Sequence, residues 1–522
     1  MTSAMASAKT EVPYLTVDPA DVPAHADPFE ITAQMGYLPC RLPLRRLPAA
    51  FDKLSEILDE MPIEKLDGQP GLLATFQLGP LIDGGALPDL TGEIDNLVVP
   101  GTDKLDMDAV TAAFRDYSFV ASSYLLEPCW ETYSTGKSTD KDGNKGYGLG
   151  RQTLPRCIAG PLVRCGAILD IPPFMSYAAS YALYNYYLVR PSAGHGDYEN
   201  LRLVRAFEKG LDPKSSEAGF ILTHIHMVVR TGALIEGAVD VLHAAEAESA
   251  DTARQGLAKI LDAMQAIEAA MESMWGNSKP KDYMSYRTFI YGITSQSMFP
   301  DGVVYEGSFD DKPVAFRGES GANDAIIPLL DHLCEIPMPK NPLTDILVEF
   351  REYRPKPHRR FLKYVRETAA EVGVRGFLTK GAGDLSAAIM YLRVLDHVRS
   401  FRWRHWQFTR EYILKYTQHP TATGGSPIIT WLPNQLAAVM DLMVDVAQGS
   451  GLWAILEEGV WTGGGAGAGS GSDKEGAGDE RWAGLTKKEI DTVGEMMQNV
   501  VIQRERLAKE VAKYCQERKA GY

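Results

Sequence analysis

Residues 385–412, LSAAIMYLRVLDHVRSFRWRHWQFTREY, constrain this chain more than any other stretch. Leu385, Ile389, Leu392, Leu395, Val398, Phe401, His405, Phe408 and Tyr412 step by threes and fours, the spacing of one helical face. That face carries a single titratable group, His405, and Arg399, Arg402, Arg404 and Arg410 surround it in sequence. Two readings fit. The imidazole can be a core residue satisfied by a backbone carbonyl. Ringed by guanidinium groups, it also suits a metal whose cofactor carries carboxylates. Haem is such a group, because histidine is a common axial ligand and propionates need cationic partners.

The 522 residues are 45% hydrophobic and 23% charged, enough for one large helical domain with an accessory lobe. A net charge of −15 argues against nucleic acid, which needs a basic face. The six cysteines (Cys40, Cys129, Cys157, Cys165, Cys334, Cys515) form no CxxC pair, so neither a zinc site nor a disulfide framework is expected. The amino terminus lacks the pattern of a signal peptide, and no run of 18 apolar residues occurs. The expectation is a reduced cytoplasmic enzyme without a membrane span.

Along the chain, residues 1–30 read as a poorly ordered arm rich in Pro and Asp. Residues 31–165 read as a small amino-terminal domain, α or α+β, with helices in LPLRRLPAAFDKLSEILDEMP and DMDAVTAAFRDYSFVASSYLL. Residues 166–522 read as a large all-helical domain. Within it, SEAGFILTHIHMVVRTGALIEGAVDVLHAAEAE breaks at most once, around Gly232, and the next helix starts at an Asp251 cap. Residues 462–480, TGGGAGAGSGSDKEGAGDE, read as a flexible insertion, and the charged tail helix packs back on the body. Strand alternation is scarce. The architecture expected is mostly α.

Other candidate chemistry falls away. GKST at 136–139 is no phosphate-binding loop, because Glu131 stands where the first glycine is required. No GxSxG and no HExxH appears. Among ten histidines, His224 and His226 are two apart, so on a helix they point about 200° away from each other and cannot chelate one metal. His224 shares a face with Phe220, which suits either a pocket wall or a packed core. His243, His332, His358, His397 and His419 show no ligand pattern, although His397, eight residues before His405, competes with it for a ligand role.

FRWRHWQFTREYI followed by ATGGSP resembles the haem-bearing helix and carboxy-terminal loop of the indoleamine 2,3-dioxygenase family, particularly its fungal members. Four further blocks agree in order: LPRCIAGPL with IPPFMSYAA, the GFILTH helix start, DGVVYEGSF with FRGESGANDAIIPLLD, and YRPKPHRRFL. The resemblance implies an all-α catalytic lobe, a smaller amino-terminal lobe and one haem b between them in a monomer. It implies opening of the L-tryptophan pyrrole ring by O₂ to N-formylkynurenine, in the kynurenine pathway. By position, His405 resembles the proximal iron ligand, with Arg402 and Gly321 near the haem. Arg287 falls where the family grips the substrate carboxylate, and Phe220 where an aromatic packs on the indole. Tyr177, Ser180 and Tyr181 fall on the indole pocket, Tyr283 on the substrate clamp, Ser320 on the glycine-rich loop, and Thr423 and Gly424 at the amino acid end.

Three positions depart from the family pattern. His224 replaces a small hydroxyl residue of mammalian members and would hydrogen-bond the indole N–H. Asp282 replaces an aromatic of the clamp, and Glu319 a small residue of the glycine-rich loop. These changes leave open a paralogue acting on another indole, or a haem-binding sensor with little turnover.

Overall fold

The computed structural model describes residues 12–137, 146–338, 342–381, 385–417, 419, 421–457 and 485–518. Helix α1 (Met107–Thr135) runs through the protein rather than over it, with every residue from Ala109 to Glu127 buried. Asp106 caps it, its carboxylate accepting the Asp108 and Ala109 N–H groups at 3.0 and 3.1 Å. Gly136 ends it in the left-handed region. Its buried Asp116 is held by Arg115 and, with two hydrogen bonds, by Arg205. Against α1 pack α2 (Arg156–Leu169), the π-turn at Tyr177–Tyr181 and the turn at Thr288–Ile290. These partners come from both sides of residue 165, so the expected small and large domains share one apolar core, which extends from Phe29 to Cys515.

The expected arm is fixed from residue 12 onward; residues 1–11 lie outside the described residues. The Leu15 N–H donates to the Ile31 carbonyl at 2.8 Å, and Phe29 is buried. The Arg41 guanidinium knits the segment by donating to the Val22, Pro23 and Ala26 carbonyls, each at 3.1 Å.

Helices α3 (Ser216–Val228) and α4 (Thr231–Glu246) divide the long apolar run at residues 229–230, two residues before Gly232. The break has a packing cause. Gly36, at φ +58°, presses so closely that a Cβ there would lie 2.3 Å from Thr231 Oγ1 and 2.6 Å from the Gly232 nitrogen. The Tyr37 N–H donates to Thr231 Oγ1 at 2.9 Å. Ser216–Glu246 is apolar and long enough to cross a membrane by composition, yet most of it is buried in the core. Helix α5 (Ala250–Glu272) is capped by Ser249, not by Asp251, which sits within its first turn.

Helix α5 packs along α4 and also against α3 and against α6 (Leu385–Phe408). It therefore sets the separation of the helices carrying His224 and His405. Completing the frame are α7 (Ile326–Leu333), α8 (Ile428–Gly449) and the tail helix α9 (Lys487–Arg518), which packs on α6 and α8 as expected. Strands are short: β1 (Thr153–Leu154) pairs parallel with β2 (Val303–Tyr305), which pairs antiparallel with β3 (Pro313–Val314). A second pair joins 186–188 to 201–203. The mostly α expectation holds. The 462–480 insertion and part of the GKST loop lie outside the described residues.

Candidate active site

The predicted face of α6 divides along its length. Ile389, Leu392, Leu395 and Val398 are buried in the core, whereas Phe401, His405, Phe408 and Tyr412 line a cavity. After Phe408 the helix widens into a π-turn, Thr409–Leu414, a local form frequent at functional sites. The cavity, about 250 Å³, lies between α6, α3, α7, the start of α8 and the 319–324 loop.

The His405 ring makes no hydrogen bond with any described residue. Burial, with a smaller contribution from His224, lowers its imidazolium to about 4, so the ring is neutral and its lone pair is available. The competing His397 is taken: its Nδ1 lies 2.8 Å from Glu268. The four arginines expected to surround the histidine as cationic partners are spent elsewhere. Arg399 bonds Asp396, Arg404 bonds Glu268 and Glu272, and Arg410 bonds Glu510. Arg402 makes a bidentate pair with Asp331 at 2.7 and 2.9 Å. These pairs clamp α6 to α5, α7 and α9, which fixes the position of His405.

Two further cations reach the cavity, and one of them, Arg354, also donates through Nε to the Asn323 carbonyl at 3.2 Å. Arg351 and Arg354 line the cavity beside His332. Burial and the surrounding Arg351, Arg366 and Arg354 hold His332 at about 3. Arg351 forms no ion pair with a described carboxylate, and burial lowers Arg354 to about 10. The signal was present in sequence, since Arg351 and Arg354 stand three apart within the basic run REYRPKPHRRF.

Across from His405 stands His224. Its Nδ1 lies 2.9 Å from the Phe220 carbonyl, which assigns the proton there and leaves Nε2 as an acceptor toward the cavity. Nε2 is 3.9 Å from the point a Cβ would occupy on Gly321. Burial lowers this imidazole too, so it is neutral. Phe220 packs on His224 with ring centroids 4.7 Å apart and on Tyr283 at 5.5 Å, forming an aromatic wall.

Arg287 is fully buried on the same cavity, with no carboxylate among the described residues paired to it. One amino group donates to the Tyr291 hydroxyl and the other to the Thr421 carbonyl at 3.4 Å, while Nε has no hydrogen-bond partner among the described residues. Ser320, Gly321 and Thr423 line the cavity as well. Gly424 stands behind them, where a Cβ would strike Phe350 at 2.5 Å, and its carbonyl accepts from Arg317.

Other expected residues are displaced. Tyr177, Ser180 and Tyr181 lie one layer behind the wall, because the π-turn directs their hydroxyls into the protein. Tyr177 donates to Asp324, Ser180 to the Ser176 carbonyl, and Tyr181 to Glu217. Asp282 turns away from the cavity and accepts from Ser216 at 2.9 Å, leaving Tyr283 as the wall residue.

The helical fold thus brings a neutral imidazole, an aromatic wall and a buried guanidinium with no carboxylate partner among the described residues into one cavity. Residues 25–437 match the family model for indoleamine 2,3-dioxygenase, so the chain belongs to that family. It is 25% identical over 409 residues to the indoleamine 2,3-dioxygenase of Saccharomyces cerevisiae, covering 74% of this chain and 79% of that one. Indoleamine 2,3-dioxygenase nanC of Aspergillus nanangensis is 25% identical over 410 residues (76% and 88%). Indoleamine 2,3-dioxygenase 1 of Mus musculus is 27% identical over 285 residues (54% and 67%). The chain is accordingly an oxidoreductase, a haem dioxygenase acting on indoles.

Proposed function

We propose that this chain opens the pyrrole ring of L-tryptophan with O₂ to give N-formylkynurenine, with haem b held by His405. One observation carries the reading: a single cavity holds an unpartnered neutral imidazole and, apart from it, a buried guanidinium lacking a carboxylate.

The donor set suits haem. His405 has its lone pair free for iron, Arg351 and Arg354 would meet the propionates, and Gln435 offers the cavity a buried, unpartnered Nε2. When bound, the haem supplies the binding and activation of O₂. The chain's own residues do the rest. Arg287 presents a planar fork that matches a carboxylate. Phe220 and Tyr283 offer ring faces to the indole, and His224 Nε2 accepts its N–H. Met227, Met271, Met274 and Phe401 keep the floor apolar and dry. A neutral imidazole with a lowered pKa is too weak a base to take the indole proton, so His224 orients the substrate.

The test is product analysis. Ferrous, haem-loaded protein given L-tryptophan and ¹⁸O₂ is expected to yield N-formylkynurenine carrying both labelled oxygens. Haem uptake without turnover of tryptophan, in a panel that also contains other indoles, would shift the reading to a different indole or, with no product at all, to a haem-binding sensor.

A further inference from the structure

Of the acids on the cavity wall, Glu319 is the one whose side-chain carboxyl accepts no hydrogen bond from a described residue. It is only 4% exposed. Its backbone is held rigidly. Gly318 is wedged against Gly292, where a Cβ would lie 2.2 Å from the Gly292 nitrogen, and the Glu319 carbonyl accepts from Thr423 Oγ1 at 2.7 Å. The carboxyl is thus carried at the cavity wall by closely packed main chain.

Its surroundings give it no compensation. With burial as the only cause, the carboxyl is pushed up to about 8, so no cation of the protein offsets it. Arg402, by contrast, answers Asp331, and Tyr177 answers Asp324. A buried, fixed and unanswered acid in a ligand cavity calls for a ligand that brings the donor.

Its location narrows what that donor is. Tyr283 feels both charges, Arg287 lowering its hydroxyl and Glu319 raising it, so the two groups flank one wall residue. The 421–423 segment bonds to both, through the Thr421 carbonyl to Arg287 and Thr423 Oγ1 to the Glu319 carbonyl. Glu319 therefore belongs to the amino acid end of the cavity.

We propose that Glu319 receives the α-ammonium group of the substrate, so that Arg287 and Glu319 together select a zwitterionic indole amino acid. The inference rests on the indole amino acid reading above. Ionised by the approaching ammonium, the carboxylate gains the partner the fold withholds, and an indole acid lacking an amine leaves it buried and unanswered.

Calorimetric binding to the haem-loaded full chain tests this with three probes: L-tryptophan, tryptamine and indole-3-propionate. Glu319→Gln is expected to weaken L-tryptophan and tryptamine by about tenfold or more, the usual scale for a hydrogen bond to a charged group. It is expected to leave indole-3-propionate unchanged or bound more tightly. The Soret band reports whether the variant has taken up haem, and Glu319→Asp, which keeps the acid but withdraws it, supplies the same comparison if the Gln variant has not. Equal weakening of all three probes, or no weakening of tryptamine, overturns the assignment. Wild-type protein that binds none of the probes overturns the indole amino acid reading itself, whereas turnover of tryptophan with tryptamine affinity indifferent to Glu319 overturns only the role of that residue.

Discussion

The proton on His224 Nδ1, committed to the Phe220 carbonyl, makes Nε2 an acceptor that matches an indole N–H. His224→Ala should lower kcat/KM for L-tryptophan by about fivefold to tenfold, one ordinary hydrogen bond, and leave 1-methyltryptophan nearly unaffected because it has no N–H to donate. Steady-state kinetics with the two substrates decides it. Arg287→Ala should cost about 10- to 100-fold in kcat/KM, as charge-assisted bonds do, and the loss should shrink with tryptamine, which has no carboxylate. At this scale the sequence was legible where a regular period carried the side chain. His405, Phe401 and Phe408 reach the cavity because an α-helix put them there. Tyr177, Ser180 and Tyr181, placed on the pocket by resemblance and not by a period, lie in a π-turn where their hydroxyls find partners inside the protein. Asp282 likewise belongs to a 3₁₀ turn that directs it to Ser216.

Helix α6 is positioned by ion pairs on three sides, so its arginines act on the site by holding the helix. Breaking the Arg402–Asp331 pair by Arg402→Met leaves a buried carboxylate uncompensated and should cost about 3–5 kcal/mol. Replacing Asp331 by Leu as well should recover much of the loss. Urea unfolding of the single and double variants measures both. Gly36→Ala forces a Cβ into Thr231 and Gly232 at a positive φ, and should lower stability by about 1–3 kcal/mol. Helix existence was readable from apolar spacing, and α1, α5 and α6 appear where that spacing set them. The break at 229–230 was readable only roughly, because its cause is a turn almost two hundred residues away in sequence.

The cavity is a property of the whole chain, drawing on segments from Phe220 to Gln435. That is why Arg351, Arg354 and His332 escaped a reading made one segment at a time: their meeting is tertiary. Burial also sets the pH response. His332 and His358 are held at about 3 and His419 at about 4, below the ordinary 6.5, so the unfolded chain binds more protons below that value. Their contribution is present above pH 6.5 and lost as pH falls, by up to about 1.4 kcal/mol per unit for each group. Glu217, held at about 8 against an ordinary 4.5, acts in the opposite sense, and stability declines as pH rises from 4.5 to 8. Between pH 4.5 and 6.5 the three histidines outweigh the one glutamate, so thermal melting of the haem-free chain should peak near pH 6.5 and decline toward pH 8, and Glu217→Gln should flatten the alkaline decline. A melting temperature that climbs from pH 6.5 to 8 contradicts this.

The account stands on His405 as the ligand that organises the cavity. Haem titrated into the purified chain should give a Soret band at one equivalent, retained in His397→Ala, lost or strongly shifted in His405→Gly, and restored to that variant by added imidazole. An unchanged Soret band in His405→Gly would contradict it.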